Sequence, residues 1–220
     1  VTNLQGETSA ALLVEAIQRA IDRGARVINL SIGSVGADKG LSRSLSLALE
    51  AALDEGITIV AASGNESERS RNIVTPVSLP AAFPGIVSVG AFLENNDVAD
   101  YSNGGEDLDL LAPGGSGDLD SNGFPIVSTW PTYPTYEFLI GQVNTLSYAG
   151  ISGTSMATPH VSAVAALLLA QEPDLTPKQV RSRLIATATD VGPVGFDEDS
   201  GYGFLNAQKA LQATGDGPAL

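Results

Sequence analysis

A helical pattern followed by a short β-rich run occurs twice in succession near the amino end, and this order restricts the fold more than any other feature of the chain. In residues 9–23 the apolar residues Leu13, Ala16, Ile17, Ala20 and Ile21 recur at helical spacing, with Gly24 as a stop. Residues 27–32 are a short aliphatic run ending at Gly33, as a central strand of a parallel sheet requires. Residues 41–55 repeat the helix through Leu45, Ala48, Leu49 and Ala52, with Gly56 as its stop, and residues 57–62 repeat the strand. Helix and strand in alternation give right-handed crossovers, so an α/β fold built on a parallel sheet is predicted.

Further short apolar runs at residues 86–89, 108–112 and 126–129 read as strands separated by Gly, Pro, Asn and Asp turns. The remainder of residues 113–148 is loop-like. Its Trp130, Tyr133 and Tyr136, interleaved with Pro131 and Pro134, form either a binding rim or a locally packed loop. Thr176-Pro177-Lys178-Gln179 reads as a capping box with proline at the first helical position, opening a helix to about Thr189. A last short helix is predicted near residues 206–213. Residues 1–6 are too irregular to assign. No repeat or linker interrupts the chain, and 220 residues suffice for one domain, 1–220, with a sizeable core.

The 25 acidic and 11 basic residues leave a formal charge of −14. Such a surface repels polyphosphate and anionic lipid, so neither nucleic acid nor membrane is expected as a partner. Cysteine is absent, which excludes disulfides and thiolate chemistry. The longest apolar run, residues 161–170, is too short to span a bilayer, and the amino end reads as free of a basic, apolar signal segment.

That apolar run follows the stretch Gly-Ile-Ser-Gly-Thr-Ser-Met-Ala-Thr-Pro-His at residues 150–160. Two glycines permit a tight turn, and Ser155 follows at the start of a buried helix. There, free N–H groups and the positive end of the macrodipole can hold a developing negative charge. Serine is also an ordinary capping residue, so on the turn alone acyl transfer and capping both stand. The string 153–160 resembles the nucleophile motif of the subtilisin-like serine proteases. The resemblance implies a three-layer subtilisin-like fold and hydrolysis of peptide bonds in a polypeptide substrate through an acyl-enzyme on Ser155. Pro159 and His160 are structural in that family.

Asn65 stands just beyond the strand at 57–62, in Ala61-Ala62-Ser63-Gly64-Asn65-Glu66, where an asparagine is ordinarily a turn residue. The family places an oxyanion donor in a matching Ala-Gly-Asn string, which the resemblance carries to Asn65, with the backbone N–H of Ser155 as second donor. Ser31, Ile32 and Gly33 match the segment that pairs with extended substrate and walls its specificity pocket; Ala62, Ser63 and Gly64 match the opposite wall. Small residues at strand ends also serve close packing. None of the six is charged, so a neutral residue before the cut is expected.

The general base is where the chain departs from the family, whose order is Asp, His, Ser. The single histidine, His160, follows Ser155 by five residues, about 140° around a helix and about 7.5 Å along it. Asp22, Asp38 and Asp54 lie on helix ends or loops and do not replace the missing acid. In the family both motifs precede the helix that here begins at Ser9, so the fold is expected to be truncated at the amino end. The expected partner is the missing amino-terminal segment of the same domain. Without it Ser155 keeps its proton near neutral pH and the chain is nearly inactive. A non-catalytic peptide-binding module with a protease-like fold is the competing reading, disfavoured because binding needs neither the serine motif nor the asparagine. No cofactor is required for the chemistry, but relatives imply a structural calcium held by carbonyls at Pro84 and Ile86 and by Asp109. Calcium takes about six to eight oxygens, and the sequence shows few. Asp197-Glu198-Asp199 reads as solvent-facing, and an extracellular or cell-envelope location is expected.

Overall fold

The computed structural model describes residues 9–33, 42–117, 123–135, 139, 141 and 147–213. Helix α1 (Ala10–Asp22) leads into β1 (Val27–Leu30) and helix α2 (Arg43–Asp54) into β2 (Thr58–Ala62), followed by β3 (Val87–Phe92) and β4 (Leu110–Pro113). These strands form one parallel sheet in the order β1-β2-β3-β4. An antiparallel ribbon of β5 (Ile126–Thr129) and β6 (Tyr148–Ile151) precedes helices α3 (Thr154–Gln171), α4 (Pro177–Ala186) and α5 (Ala207–Gln212).

Local chemistry sets the helix ends. The hydroxyls of Ser9 and Ser42 accept the N–H groups of Leu12 at 3.2 Å and Leu45 at 3.4 Å, capping α1 and α2. Gly24 and Gly56 then leave both helices at φ 69° and 78°, which an L side chain resists. Thr176 and Gln179 form the reciprocal capping box expected of α4.

Alternating strand side chains divide the core into two halves around the sheet. Leu13, Ile17, Leu45 and Leu49 of α1 and α2 pack with Ile59, Ala61 and Leu111 on one face. Val161, Ala165, Leu168 and Leu184 of α3 and α4 pack with Val60, Val89 and Leu110 on the other. The result is the three-layer α/β arrangement, with the carboxyl ends of β1 and β2 leading into Ser31 and Ser63. Two expectations need correction. β6 was not legible as a strand, and α4 ends at Ala186 rather than near Thr189. Asp38, Leu41 and Tyr136 lie outside the described residues.

Candidate active site

Strand register brings the two predicted wall segments together: Leu30 pairs with Ala61, so Ser31 and Ala62 emerge side by side at the carboxyl ends of β1 and β2. The helix that meets them, α3, begins at Gly153, which has no side chain with which to cap it. Asn65 supplies the cap from a distant loop. Its Oδ1 accepts the Thr154 N–H at 2.8 Å and the Thr154 hydroxyl at 2.9 Å, and that hydroxyl accepts the Gly64 N–H at 3.3 Å. A backbone N–H can only donate, so the oxygen of the amide is fixed and Nδ2 is the end that Thr154 does not engage. Gly153 sits at φ 152°, and a Cβ there would lie 3.5 Å from the Asn65 amide.

Ser155 is the second residue of α3, within the turn whose N–H groups lack intrahelical acceptors. Its Oγ donates to Ser31 O at 3.3 Å, and Ser31 Oγ donates back to Ser155 O at 2.8 Å. Asn29 of β1 extends the seam, donating to Ser31 Oγ at 2.9 Å and accepting from Ser162 Oγ at 2.8 Å. Ser155 and Asn65 are therefore brought to one place by three elements, β1, β2 and α3. His160 is not a hydrogen-bond partner of Ser155; its Nδ1 lies 2.9 Å from Met156 O, one turn back on its own helix.

Beside Ser155 opens a groove of 480 Å³ lined chiefly by Trp130, Ala149, Met156, Pro159 and His160. Trp130 both borders this groove and packs locally, its Nε1 donating to Thr135 Oγ1 at 3.3 Å, while Tyr133 is exposed. Residues 62–64, the other predicted wall, do not line this groove, and the side chains that hold them were passed over in the sequence. Asn103 is wholly buried behind the 63–67 loop, and Glu66 places its carboxylate against Gly64. In sequence Asn103 lies in Ser-Asn-Gly-Gly, which signals only a turn. A charged group thus does stand at this wall, but its Oε2 already accepts the Asn65 N–H at 3.1 Å and Asn103 Nδ2 at 2.6 Å.

The residues suggested for calcium do not fit a cation. Asp109 is buried, and Arg181 donates Nε to its Oδ2 at 2.8 Å and Nη2 to its Oδ1 at 2.5 Å. The Ser88 N–H adds a third donor at 3.1 Å. Both carboxylate oxygens are turned to a guanidinium, and the described residues contain no group of three or more acidic, His or Cys side chains able to hold a metal. The acidic stretch faces solvent at Glu198 and Asp199, as expected, and is also bonded locally: Asp197 Oδ1 accepts the N–H groups of Asp199 and Ser200 at 2.8 and 2.9 Å, and Asp199 pairs with Arg69.

No described helix is long and apolar enough to cross a membrane. Subtilisin DY of Bacillus licheniformis is 35% identical over 213 residues, 96% of this chain and 66% of the relative. Subtilisin E of Bacillus subtilis (strain 168) is 35% identical over 214 residues, 96% of this chain and 48% of the relative. The chain thus spans about half to two thirds of the length of these relatives. Among solved structures, fervidolysin from Fervidobacterium pennivorans, a keratinolytic enzyme related to subtilisin, superposes with a TM-score of 0.77 at 30% identity, over 95% of this chain and 30% of that one. The prenylagaramide maturation protease PagA gives 0.74 at 28% identity, over 96% and 70%. A model described as the Subtilase family matches residues 1–203, and with it the sequence, the three layers and the relatives agree: the chain belongs to the subtilase family.

Proposed function

We propose that this chain is the nucleophile-bearing part of a subtilisin-like serine endopeptidase. Ser155 Oγ attacks the carbonyl carbon of a peptide bond as a base takes its proton, and the oxyanion accepts hydrogen bonds from Asn65 Nδ2 and the Ser155 backbone N–H. Collapse of the tetrahedral species breaks the C–N bond, the proton goes to the departing amine, and an acyl-enzyme remains on Ser155 for water to hydrolyse. One observation carries this reading: the 2.8 Å bond from Thr154 N–H to Asn65 Oδ1. It sets the free end of the Asn65 amide beside the residue that precedes the nucleophile.

The acid and base come, on this reading, from a segment that precedes Val1. His160, the one histidine, is tied to Met156 O, and no acidic or imidazole group bonds Ser155 Oγ among the described residues. The surface beside the groove suits such a segment. Helix α3 is apolar all round, a composition that belongs in a core, yet Pro159, Ala163, Ala166, Leu167 and Ala170 form an exposed stripe along it. Among the described strands β1 is an edge of the sheet, and an open edge accepts another strand. A segment that added a strand to β1 and a helix to the stripe would bring its base to Ser155. Substrate runs in extended form between residues 31–33 and 62–64, with a neutral side chain before the cut, and an acidic surface suits an extracellular or cell-envelope setting.

A fluorophosphonate probe tests the proposal. The chain alone labels at a negligible rate, whereas the chain with its amino-terminal segment supplied labels at Ser155, and Ser155→Ala abolishes the signal. A complete, folded protein that binds peptide but never labels is the non-catalytic module instead, and the protease reading ends there.

A further inference from the structure

We infer that Asn103 positions the oxyanion donor, acting on Asn65 through Glu66; the functional sense of this rests on the role given to Asn65 above. Asn103 lies between β3 and β4 with none of its surface exposed. Its backbone N–H donates to Gly64 O at 3.1 Å, and its Oδ1 accepts the Glu66 N–H at 2.9 Å and the Ser67 hydroxyl at 3.2 Å. Its Nδ2 reaches Ser63 O at 3.2 Å, Pro76 O at 3.2 Å, Ser78 Oγ at 3.3 Å and the Glu66 carboxylate at 2.6 Å. One buried residue thus bonds residues 63, 66 and 67 through its side chain and residue 64 through its backbone N–H, and the residue it leaves untouched between them is Asn65.

The grip is passed on by Glu66. The same Oε2 that Asn103 holds accepts the Asn65 N–H at 3.1 Å, so the backbone of Asn65 is fixed from behind while its side chain is fixed in front by Thr154. Gly64 leaves no slack: at φ 109°, a Cβ would meet Glu66 Oε2 at 2.5 Å and Ser78 Oγ at 2.7 Å. The loop therefore lies directly on the Asn103–Glu66 contact, and it cannot shift without opening buried polar bonds. A donor aimed at a developing oxyanion is worth most when its supports hold it before the reaction starts.

The Thr154 N–H reports the placement of Asn65, because its acceptor is Asn65 Oδ1. Amide hydrogen exchange by NMR on the chain itself is therefore the first test, with Asn103→Ala and with Glu66→Ala. Glu66 is exposed, so its truncation leaves the core intact if the Asn103 variant does not fold. In Glu66→Ala, exchange at Thr154 rises about five- to tenfold, the size of one lost hydrogen bond, while amides of β2 and β3 keep their rates. Unchanged exchange at Thr154, or an equal rise throughout the sheet, overturns the inference. In the complete protein, Glu66→Ala lowers kcat several-fold at unchanged KM for a short neutral peptide, and has no further effect once Asn65→Ala is present. Multiplicative losses in that double variant also overturn it. A complete protein that never labels ends the protease reading, while the exchange result still decides the Asn103 link.

Discussion

Replacing Arg181 by methionine is expected to destabilise the chain far more than replacing its partner Asp109 by asparagine, and the larger deficit shrinks as pH falls. The asymmetry follows from exposure: the side chain of Asp109 is 3% exposed and that of Arg181 is 38% exposed. Burial pushes the Asp109 carboxyl above its ordinary value; the hydrogen bonds and charge of Arg181 and the Ser88 N–H oppose this, and Asp107 adds to it. Without Arg181 a buried carboxylate stands uncompensated, a loss of about 3–5 kcal/mol near neutral pH. Without the Asp109 charge, Arg181 turns to water, and the loss is about 1–2 kcal/mol. An acid whose folded pKa lies above its unfolded value holds a proton in the native state that the unfolded chain has released. Between the unfolded value, about 4, and the raised folded value, stability therefore increases as pH falls. Losing Arg181 removes what lowers the Asp109 carboxyl, so its folded value rises further in Arg181→Met; the deficit is full above that higher value and shrinks as pH falls from it to the parent's own raised value. Urea midpoints measured for both variants across this range check the reasoning. An Asp109→Asn loss as large as that of Arg181→Met, or an Arg181→Met deficit that does not change with pH, refutes it.

Thr154→Val keeps the shape of a wholly buried residue but removes the hydroxyl between Gly64 N–H and Asn65 Oδ1, and should lower stability by about 1–2 kcal/mol in denaturant. Thr176→Ala breaks the capping box of α4, lowering the melting temperature by the equivalent of about 1 kcal/mol while labelling at Ser155 in the complete protein stays at the parent rate. Because Arg181 fills the Asp109 carboxylate, millimolar calcium should move the urea midpoint equally in the parent and in Asp109→Asn; a shift lost with that substitution would hand the carboxylate back to a metal.

What the sequence disclosed and what it withheld divide by the range of the forces involved. Helices α1, α2 and α4 were legible because their caps and apolar spacing are local, a serine or threonine and a stripe within a few turns. β6 was not: Tyr148-Ala-Gly-Ile has neither alternation nor branched residues in number, and it becomes a strand by pairing with β5, Val127 opposite Gly150. The Asp109–Arg181 pair joins residues 72 apart, and no pattern within a segment announces it. Asn103 reads as a turn residue because the acceptors that occupy it belong to the loop after β2. Even Asn65 and Ser155 were linked only through family resemblance, since the contact that joins their neighbourhoods spans 89 residues.

Asn65 carries two tasks on two ends of one amide, and aspartate separates them. Its Oδ1 caps α3 by accepting the Thr154 N–H, and Nδ2 is the end left for an oxyanion. Alanine removes both, at about 1 kcal/mol for the lost cap, and is expected to slow labelling of the complete protein by about 100- to 1,000-fold, a figure known for subtilisin itself. Aspartate keeps an acceptor for Thr154 and places negative charge at a helix N-terminus, a gain of about 0.3–1 kcal/mol that the adjacent Glu66 partly offsets. Asn65→Asp should therefore unfold close to the parent and clearly later than Asn65→Ala. Its labelling should fall at least as far as that of Asn65→Ala, because a carboxylate repels the oxyanion it replaces a donor for. An Asn65→Asp protein that labels at the parent rate removes Asn65 from the chemistry. One that is destabilised as much as Asn65→Ala removes it from the helix cap, and the argument that the cap aims the donor goes with it.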